Sequence, residues 1–260
     1  MEFTDDQLER YSRQLRLPEV GEQGQAKLLQ AKVFIVGAGG LGSPVGYYLS
    51  AAGVGTIGVA DNDVVELSNL QRQIAHNTKV VGRPKVESAK TCFEALNPDV
   101  HIVPIQQRLS KDNILGLIEG YDIIVDCSDN FPTRFLVNDA CIMLKKPLVI
   151  GAISQFEGQL TVIMPGEGPC YRCLFEEPPP PGVLPATQDI GLFGFLPGVI
   201  GTLQASEVIK IIIGAGEILR GELLIYHALK QSFRKVTITR NPECPVCSDH
   251  PTITKLLDYS

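Results

Sequence analysis

Lys32-Val-Phe-Ile-Val36 runs directly into Gly37-Ala-Gly-Gly-Leu-Gly42, and Thr56-Ile-Gly-Val-Ala60 ends at Asp61. The first apolar run reads as a buried strand. A glycine-rich turn follows, then a helix through Tyr47 to Ala52 stopped by Gly53, then a second strand. Together they make one βαβ unit. Gly37, Gly39 and Gly42 fit G-x-G-x-x-G between strand and helix, with Gly40 as an additional glycine. Without side chains, such a turn lets phosphates approach backbone amides at a helix N-terminus. Asp61 closes the second strand where an acid can accept hydrogen bonds from ribose hydroxyls. Alone, the motif marks a nucleotide site and leaves ATP and NAD both open.

Outward from this unit the alternation continues. Helices are expected at Lys85 to Leu96, Lys111 to Glu119 and Thr133 to Leu144, with strands at His101 to Ile105, Asp122 to Asp126 and Leu148 to Gly151. This is an α/β chain with a Rossmann-like, mainly parallel sheet and helices on both faces. Ligand-binding groups should gather at the strands' C-terminal ends. Beyond Gly151 the pattern turns to short runs, Gln159 to Met164, Glu222 to Ala228 and Arg234 to Thr239, around a helix at Gly201 to Ile213. They read as an antiparallel extension. Upstream, Thr4 and Gln7 form a capping box, and Leu8, Tyr11 and Leu15 predict one short N-terminal helix. Proline-rich Glu176 to Pro185, including Pro178 to Pro181, reads as a mobile surface crossing.

The composition is that of a globular protein, with 44% hydrophobic and 20% charged residues, and 260 residues suit one large domain. A formal net charge of −6 argues against broad nucleic-acid binding. The acidic, polar start MEFTDDQLER lacks the pattern of a signal peptide. Val199 to Ile213 carries Glu207 and Lys210 and has too few consecutive apolar residues to span a bilayer. A soluble cytoplasmic protein with no membrane partner is the expectation.

Several residues suit chemistry on phosphates. Asp63, Ser68-Asn69-Leu70-Gln71-Arg72-Gln73 and Lys85 follow Asp61. Attack on an α-phosphate needs cations to balance charge, which Arg72 and Lys85 offer, although lone surface cations are usually just solvated. In Cys127-Ser128-Asp129-Asn130, Asp129 can hold Mg²⁺ against phosphates, or Asp129 or Asn130 can cap the helix entered at Pro132. Of seven cysteines, Cys170-Tyr-Arg-Cys173 and Cys244-Pro-Val-Cys247 form two C-x-x-C units suited to one tetrahedral Zn²⁺. A redox pair is the alternative. Cys92, Cys127 and Cys141 read as packed thiols, and His76, His101, His227 and His250 as surface or packing histidines.

Arg10-Tyr-Ser-Arg13-Gln14, Gly37 to Gly42, Ser68 to Gln73, Asp126 to Asn130 and the two C-x-x-C units, in that order along nearly the whole chain, resemble the MoeB/ThiF family. The resemblance implies one adenylation domain over 1–260, with a helical arm at 1–30, a nucleotide-binding half at 31–151 and a carrier-binding half with a zinc site at 152–260. It implies ATP contacts from Gly40, Asp61, Ser68 to Arg72, Lys85, Asp129 and Asn130, with Asp129 near Mg²⁺. It further implies a homodimer in which Arg13 reaches the partner's nucleotide. The implied reaction adenylates the C-terminal Gly-Gly carboxylate of a ubiquitin-like sulfur carrier of molybdopterin, thiamine or tRNA-thiolation type and releases pyrophosphate. A separate donor then supplies sulfur.

Thr187 stands where many relatives carry a crossover-loop cysteine, which puts a persulfide step through that loop in doubt. Asn241 to Tyr259 resembles the segment that precedes a rhodanese domain in longer relatives. A carrier-binding scaffold without catalysis and an NAD-dependent oxidoreductase are the competing readings.

Overall fold

The computed structural model describes residues 2–179 and 191–258. Five parallel strands, β1 (Lys32–Val36), β2 (Thr56–Ala60), β3 (His101–Ile105), β4 (Ile123–Asp126) and β5 (Leu148–Ser154), are continued by β6 (Glu157–Ile163), β7 (Glu222–His227) and β8 (Ser232–Thr237). The sheet order is β3-β2-β1-β4-β5-β6-β7-β8. Pairing is parallel as far as β5 and antiparallel beyond it. The change of direction has a local cause. Ser154 pairs with Glu157, so only Gln155 and Phe156 connect β5 to β6, and two residues cannot make a parallel crossover. Gln155 takes the turn with φ 50°.

Alternate residues of the central strands enter two cores. Val33, Ile35, Val59, Val125 and Val149 lie in one, while Phe34, Val36, Ile124, Leu148 and Ile150 lie in the other. Each such fully buried side chain contributes roughly 1.5–3 kcal/mol. The first core is covered by α3 (Gly21–Gln30), α4 (Gly42–Ala52), α5 (Lys85–Leu96) and α9 (Leu196–Ile213). The second lies under α6 (Ile114–Ile118), α7 (Phe131–Leu144) and α8 (Tyr171–Leu174). The chain leaves β1 toward β2 and β3 on one side and returns to β4 and β5 on the other. The switch point therefore falls between β1 and β4, where an open α/β sheet forms its ligand crevice.

Several boundaries differ from the sequence expectation. The N-terminal helix is two pieces, α1 (Asp5–Arg10), closed by the Thr4/Gln7 capping box, and α2 (Ser12–Leu15). They break at Tyr11, whose ring is 1% exposed and whose hydroxyl accepts from Asn97 Nδ2 at 2.9 Å. α3 escaped the pattern. Helix α6 is shorter than Lys111 to Glu119, because the Asn113 side chain accepts from Ser110 N and donates to the Arg108 carbonyl, drawing the preceding residues into a turn. Helix α7 starts two residues early, with Pro132 in its first turn.

Helix α9 starts at Leu196, not Gly201. At 18 residues and mean hydropathy 1.4 it is long and apolar enough to cross a membrane by length and composition, contrary to the estimate for Val199 to Ile213. Here it packs on α3, α4, β5 and β6. Its buried Glu207 accepts the backbone N–H of Leu219 at 3.0 Å.

Candidate functional site

At the switch point lies a cavity of about 910 Å³ lined by Gly37, Gly39, Gly40, Asp61, Lys85 and Asp129, among others. Its first wall is the glycine loop. Gly37 adopts φ +97°, and a Cβ there would sit 3.0 Å from the Cys127 carbonyl oxygen. A Cβ on Gly42 would fall 2.0 Å from the Gly37 carbonyl oxygen. These two glycines are thus required by the turn itself, and Gly39 and Gly40 present bare backbone to the cavity. Asp61 fixes the loop from the next strand. One carboxylate oxygen accepts from Ala38 N and the other from Asp63 N, each at 2.8 Å. Both oxygens keep lone-pair capacity toward the cavity.

His76 braces the same loop from behind. Its Nε2 lies 2.9 Å from the Ala38 carbonyl and its Nδ1 2.9 Å from Ser88 Oγ. A carbonyl only accepts, so Nε2 carries the proton and Ser88 donates to Nδ1. Burial, aided by the charge on Lys85, lowers the imidazole pKa. The ring is a packing group, as expected.

The cations enter from the segment after β2. Lys85 is 6% exposed and donates to Asp63 Oδ2 at 2.8 Å, so it is no solvated surface charge. Half-buried Arg72 lines the cavity, and its guanidinium donates to the Ser68 carbonyl at 3.2 Å. Gln71 and Asp63 line the cavity too, whereas Ser68, Asn69, Leu70 and Gly42 lie outside the lining. Asn69 is buried, and with Glu66 it closes the 3-10 turn Leu67–Asn69. That turn carries Arg72. Arg13 is exposed on α2, outside the cavity of its own chain.

The second wall follows β4. Asn130 caps α7, accepting from Thr133 N at 2.9 Å, which assigns the cap to Asn130 rather than Asp129. Asp129 is exposed on the cavity and accepts from Asn130 Nδ2 at 3.3 Å. Behind it, Asp126 is fully buried and accepts from Ser128 N at 2.8 Å. Arg134 faces Asp126 at 3.8 Å, donates to the Ser128 carbonyl at 3.0 Å, and lies over the rings of Phe131 and Tyr171. Burial raises the Asp126 pKa, with Arg134 opposing. Burial works against the Arg134 charge, but Asp126, Tyr171 and Asp129 together more than compensate, and its pKa is raised.

Sequence reasoning missed Arg134, Tyr171, Gln107, Arg108 and Gln159, all in the lining. The one available signal was position: Arg134 stands four residues after the helix cap Asn130, one turn into α7.

The four cysteines of the two C-x-x-C units meet, with all Sγ atoms within 4.8 Å of one another. Cys170 and Cys244 are 3.6 Å apart and Cys173 and Cys247 3.4 Å. These distances are far beyond a disulfide bond of about 2.05 Å. They are near the sulfur spacing of roughly 3.8 Å that Zn–S bonds of about 2.3 Å impose on a tetrahedron. Hydrogen bonds from Cys170 and Cys247 hold the Cys173 thiol low, while Cys170 is pushed up. A divalent cation would let all four ionise. Cys127 and Cys141 are buried and pushed up by burial, and half-buried Cys92 donates to the Ala75 carbonyl. All three are packed thiols. Thr187 and most of the proline-rich crossing, 180–190, lie outside the described residues.

Known proteins are similar to this chain. A sulfur carrier protein adenylyltransferase of Thermus thermophilus is 53% identical over 264 residues, covering 100% of this chain and 97% of the relative. The adenylyltransferase and sulfurtransferase MOCS3 of Aedes aegypti is 50% identical over 99% of this chain, which spans 59% of that longer protein. Among solved structures, E. coli MccB with ATP superposes with a TM-score of 0.80 at 26% identity, covering 92% of this chain and 73% of that one. Residues 11–246, which hold both walls of the cavity and three of the four clustered cysteines, match the ThiF family, and the chain belongs to it.

Proposed function

We propose that this protein uses ATP to adenylate the C-terminal glycine carboxylate of a ubiquitin-like sulfur carrier. The observation that carries the reading is the convergence of the glycine loop, Arg72, Lys85 and Asp129 on one cavity at the switch point. Relatives about half identical to it bear the name of that activity.

In this reading the nucleotide phosphates lie on the amides of Gly39 and Gly40, with the ribose toward Asp61. A carrier carboxylate oxygen attacks the α-phosphorus as the bond to pyrophosphate breaks, leaving an acyl-adenylate and free pyrophosphate. Lys85 and Arg72 balance the charge that moves onto the departing oxygens. Asp63 holds the Lys85 ammonium in place at 2.8 Å. No protein nucleophile is needed for this step, because the carrier carboxylate is itself the nucleophile and pyrophosphate the leaving group, so positioning and electrostatics suffice. Asp129, exposed on the cavity and held by Asn130 Nδ2, fits a Mg²⁺ ion, which when bound would neutralise phosphate charge.

The cysteine cluster fits a closed structural Zn²⁺, with no open position for chemistry. The reduced thiols it needs accord with a cytoplasmic setting. Arg13, exposed and outside the lining of its own chain's cavity, suits completion of the site in a homodimer. Sulfur comes from a separate donor protein.

The test is carrier-dependent ATP–pyrophosphate exchange with a panel of ubiquitin-like carriers ending in Gly-Gly, and with the same carriers lacking those glycines. Exchange with an intact carrier only is expected. Confirmed carrier binding with no exchange from any would make the protein a scaffold.

A further inference from the structure

Three buried polar atoms behind Asp129 have no hydrogen-bond partner among the described residues: Asp126 Oδ2, Ser128 Oγ and Arg134 Nε. Unpaired buried polar atoms are costly, and three gathered around one loop, from the end of β4, the loop itself and α7, call for an explanation. Their residues enclose the loop that presents Asp129. Asp126 Oδ1 holds Ser128 N, and Arg134 holds the Ser128 carbonyl from the other side. Ser128, which leads into Asp129, is thus gripped at its N–H and its carbonyl by two opposite charges that face each other at 3.8 Å.

Arg134 is itself held from outside its helix. Its guanidinium carbon lies 5.9 Å from the centre of the Tyr171 ring. Tyr171 and Arg172 are the two residues between Cys170 and Cys173, and both reach α7. Tyr171 N donates to Asn138 Oδ1 at 2.9 Å, and Arg172 makes a two-pronged pair with Asp139 at 2.9 and 3.0 Å. The cysteine cluster is therefore joined to the Asp129 loop through one helix and one arginine.

We infer that Arg134 is a positioning residue that sets Asp129 for the metal, and that Tyr171, fixed between two cysteines of the cluster, sets Arg134. This rests on the reading of Asp129 as the Mg²⁺ carboxylate. A contiguous set of contacts is not yet a coupling, so the test is a double-mutant cycle read on Mg²⁺ dependence. A non-hydrolysable ATP analogue is titrated calorimetrically at a series of Mg²⁺ concentrations, and the Tm of each variant is recorded.

Arg134→Gln should raise the Mg²⁺ needed for half-maximal effect about tenfold, as loss of an outer partner of a metal ligand does. Affinity for the analogue without Mg²⁺ should change by less than about twofold, since the glycine loop is untouched. Arg134→Lys should recover part of the loss, because a point charge replaces a fork. Tyr171→Leu should cost about threefold, and the double variant should be no worse than Arg134→Gln alone.

If Arg134→Gln does not fold, Asp126→Asn with Arg134→Gln removes both charges and serves in its place. A lowered Tm with an unchanged Mg²⁺ profile would reduce Arg134 to a structural residue and overturn the inference. Additive effects would sever Tyr171 from it. Wild-type binding that ignores Mg²⁺ would overturn the metal reading of Asp129 and the inference with it.

Discussion

The glycine loop after β1 is held by main-chain hydrogen bonds, by the Asp61 carboxylate beneath it and by close approaches that leave no room for a Cβ at Gly37 or Gly42. The loop after β4, which lines the same cavity beside it, is held by a buried aspartate, a buried arginine and a tyrosine from a distant cysteine knuckle. The first wall is local and rigid by sterics. The second depends on charges kept in balance away from water, so any change to one partner exposes the other's desolvation cost. A loop built the second way can place a carboxylate accurately yet depends on remote parts of the chain.

The contrast is breakable at each end. Asp129→Ala should have the largest effect on catalysis, a loss of about 10³-fold in pyrophosphate exchange, or about 4 kcal/mol in the barrier. Its Tm should move little, because the side chain is exposed. Near-normal turnover would take Asp129 out of the chemistry.

Cys244→Ser attacks the remote support. Metal analysis should find about one Zn²⁺ per wild-type chain and a small fraction of that in the variant, with stability lower by roughly 3 kcal/mol or more. Wild-type protein purified without metal would remove the clip from the account.

Gly42→Ala attacks the steric wall. A methyl 2.0 Å from the Gly37 carbonyl oxygen must push the loop apart, at a cost of about 2–3 kcal/mol read by denaturant unfolding, with weaker nucleotide binding. A neutral result would mean the turn has slack that the geometry denies.

His76→Gln should be the mildest. Burial lowers the folded-state pKa of His76, so the unfolded chain binds the proton first as pH falls. His76 thus gives stability that is fully present above its unfolded pKa of about 6.5 and is lost as pH falls from there through the folded value. The variant should lose about 1 kcal/mol at pH 7.5 and show a flatter decline in stability below pH 6.5. An unchanged slope would mean the ring is not the group that titrates.

The first wall was legible in the sequence because its causes are local. Strand β1, the glycines, β2 running into Asp61 and α5 beginning at Lys85 each follow from residues a few positions apart. The cysteine pairs were legible for the same reason, since C-x-x-C spacing states its chemistry within four residues. Helix α3 was not, because Gly21 and Gly24 weaken the local signal, and Gly24 is there to let Val20 and Ile213 close in. The extra turns at the start of α9 were hidden by Pro197 and Gly198, which read as breakers but occupy a helix's first turn. Arg134 was hidden because nothing near it in sequence says that Asp126 is fully buried or that Tyr171 folds back over it. Charge pairs of that kind exist only once the fold brings them together.

The most direct test of the central claim is to detect the product itself. Wild-type protein, ATP, Mg²⁺ and a ubiquitin-like carrier ending in Gly-Gly are mixed, quenched in acid and weighed by mass spectrometry. The account predicts a carrier heavier by one adenylyl group with the wild-type protein, none with Asp129→Ala, and none on a carrier lacking its terminal glycines. An unmodified carrier from folded, zinc-loaded wild-type protein that binds it, or equal modification of the truncated carrier, would contradict it.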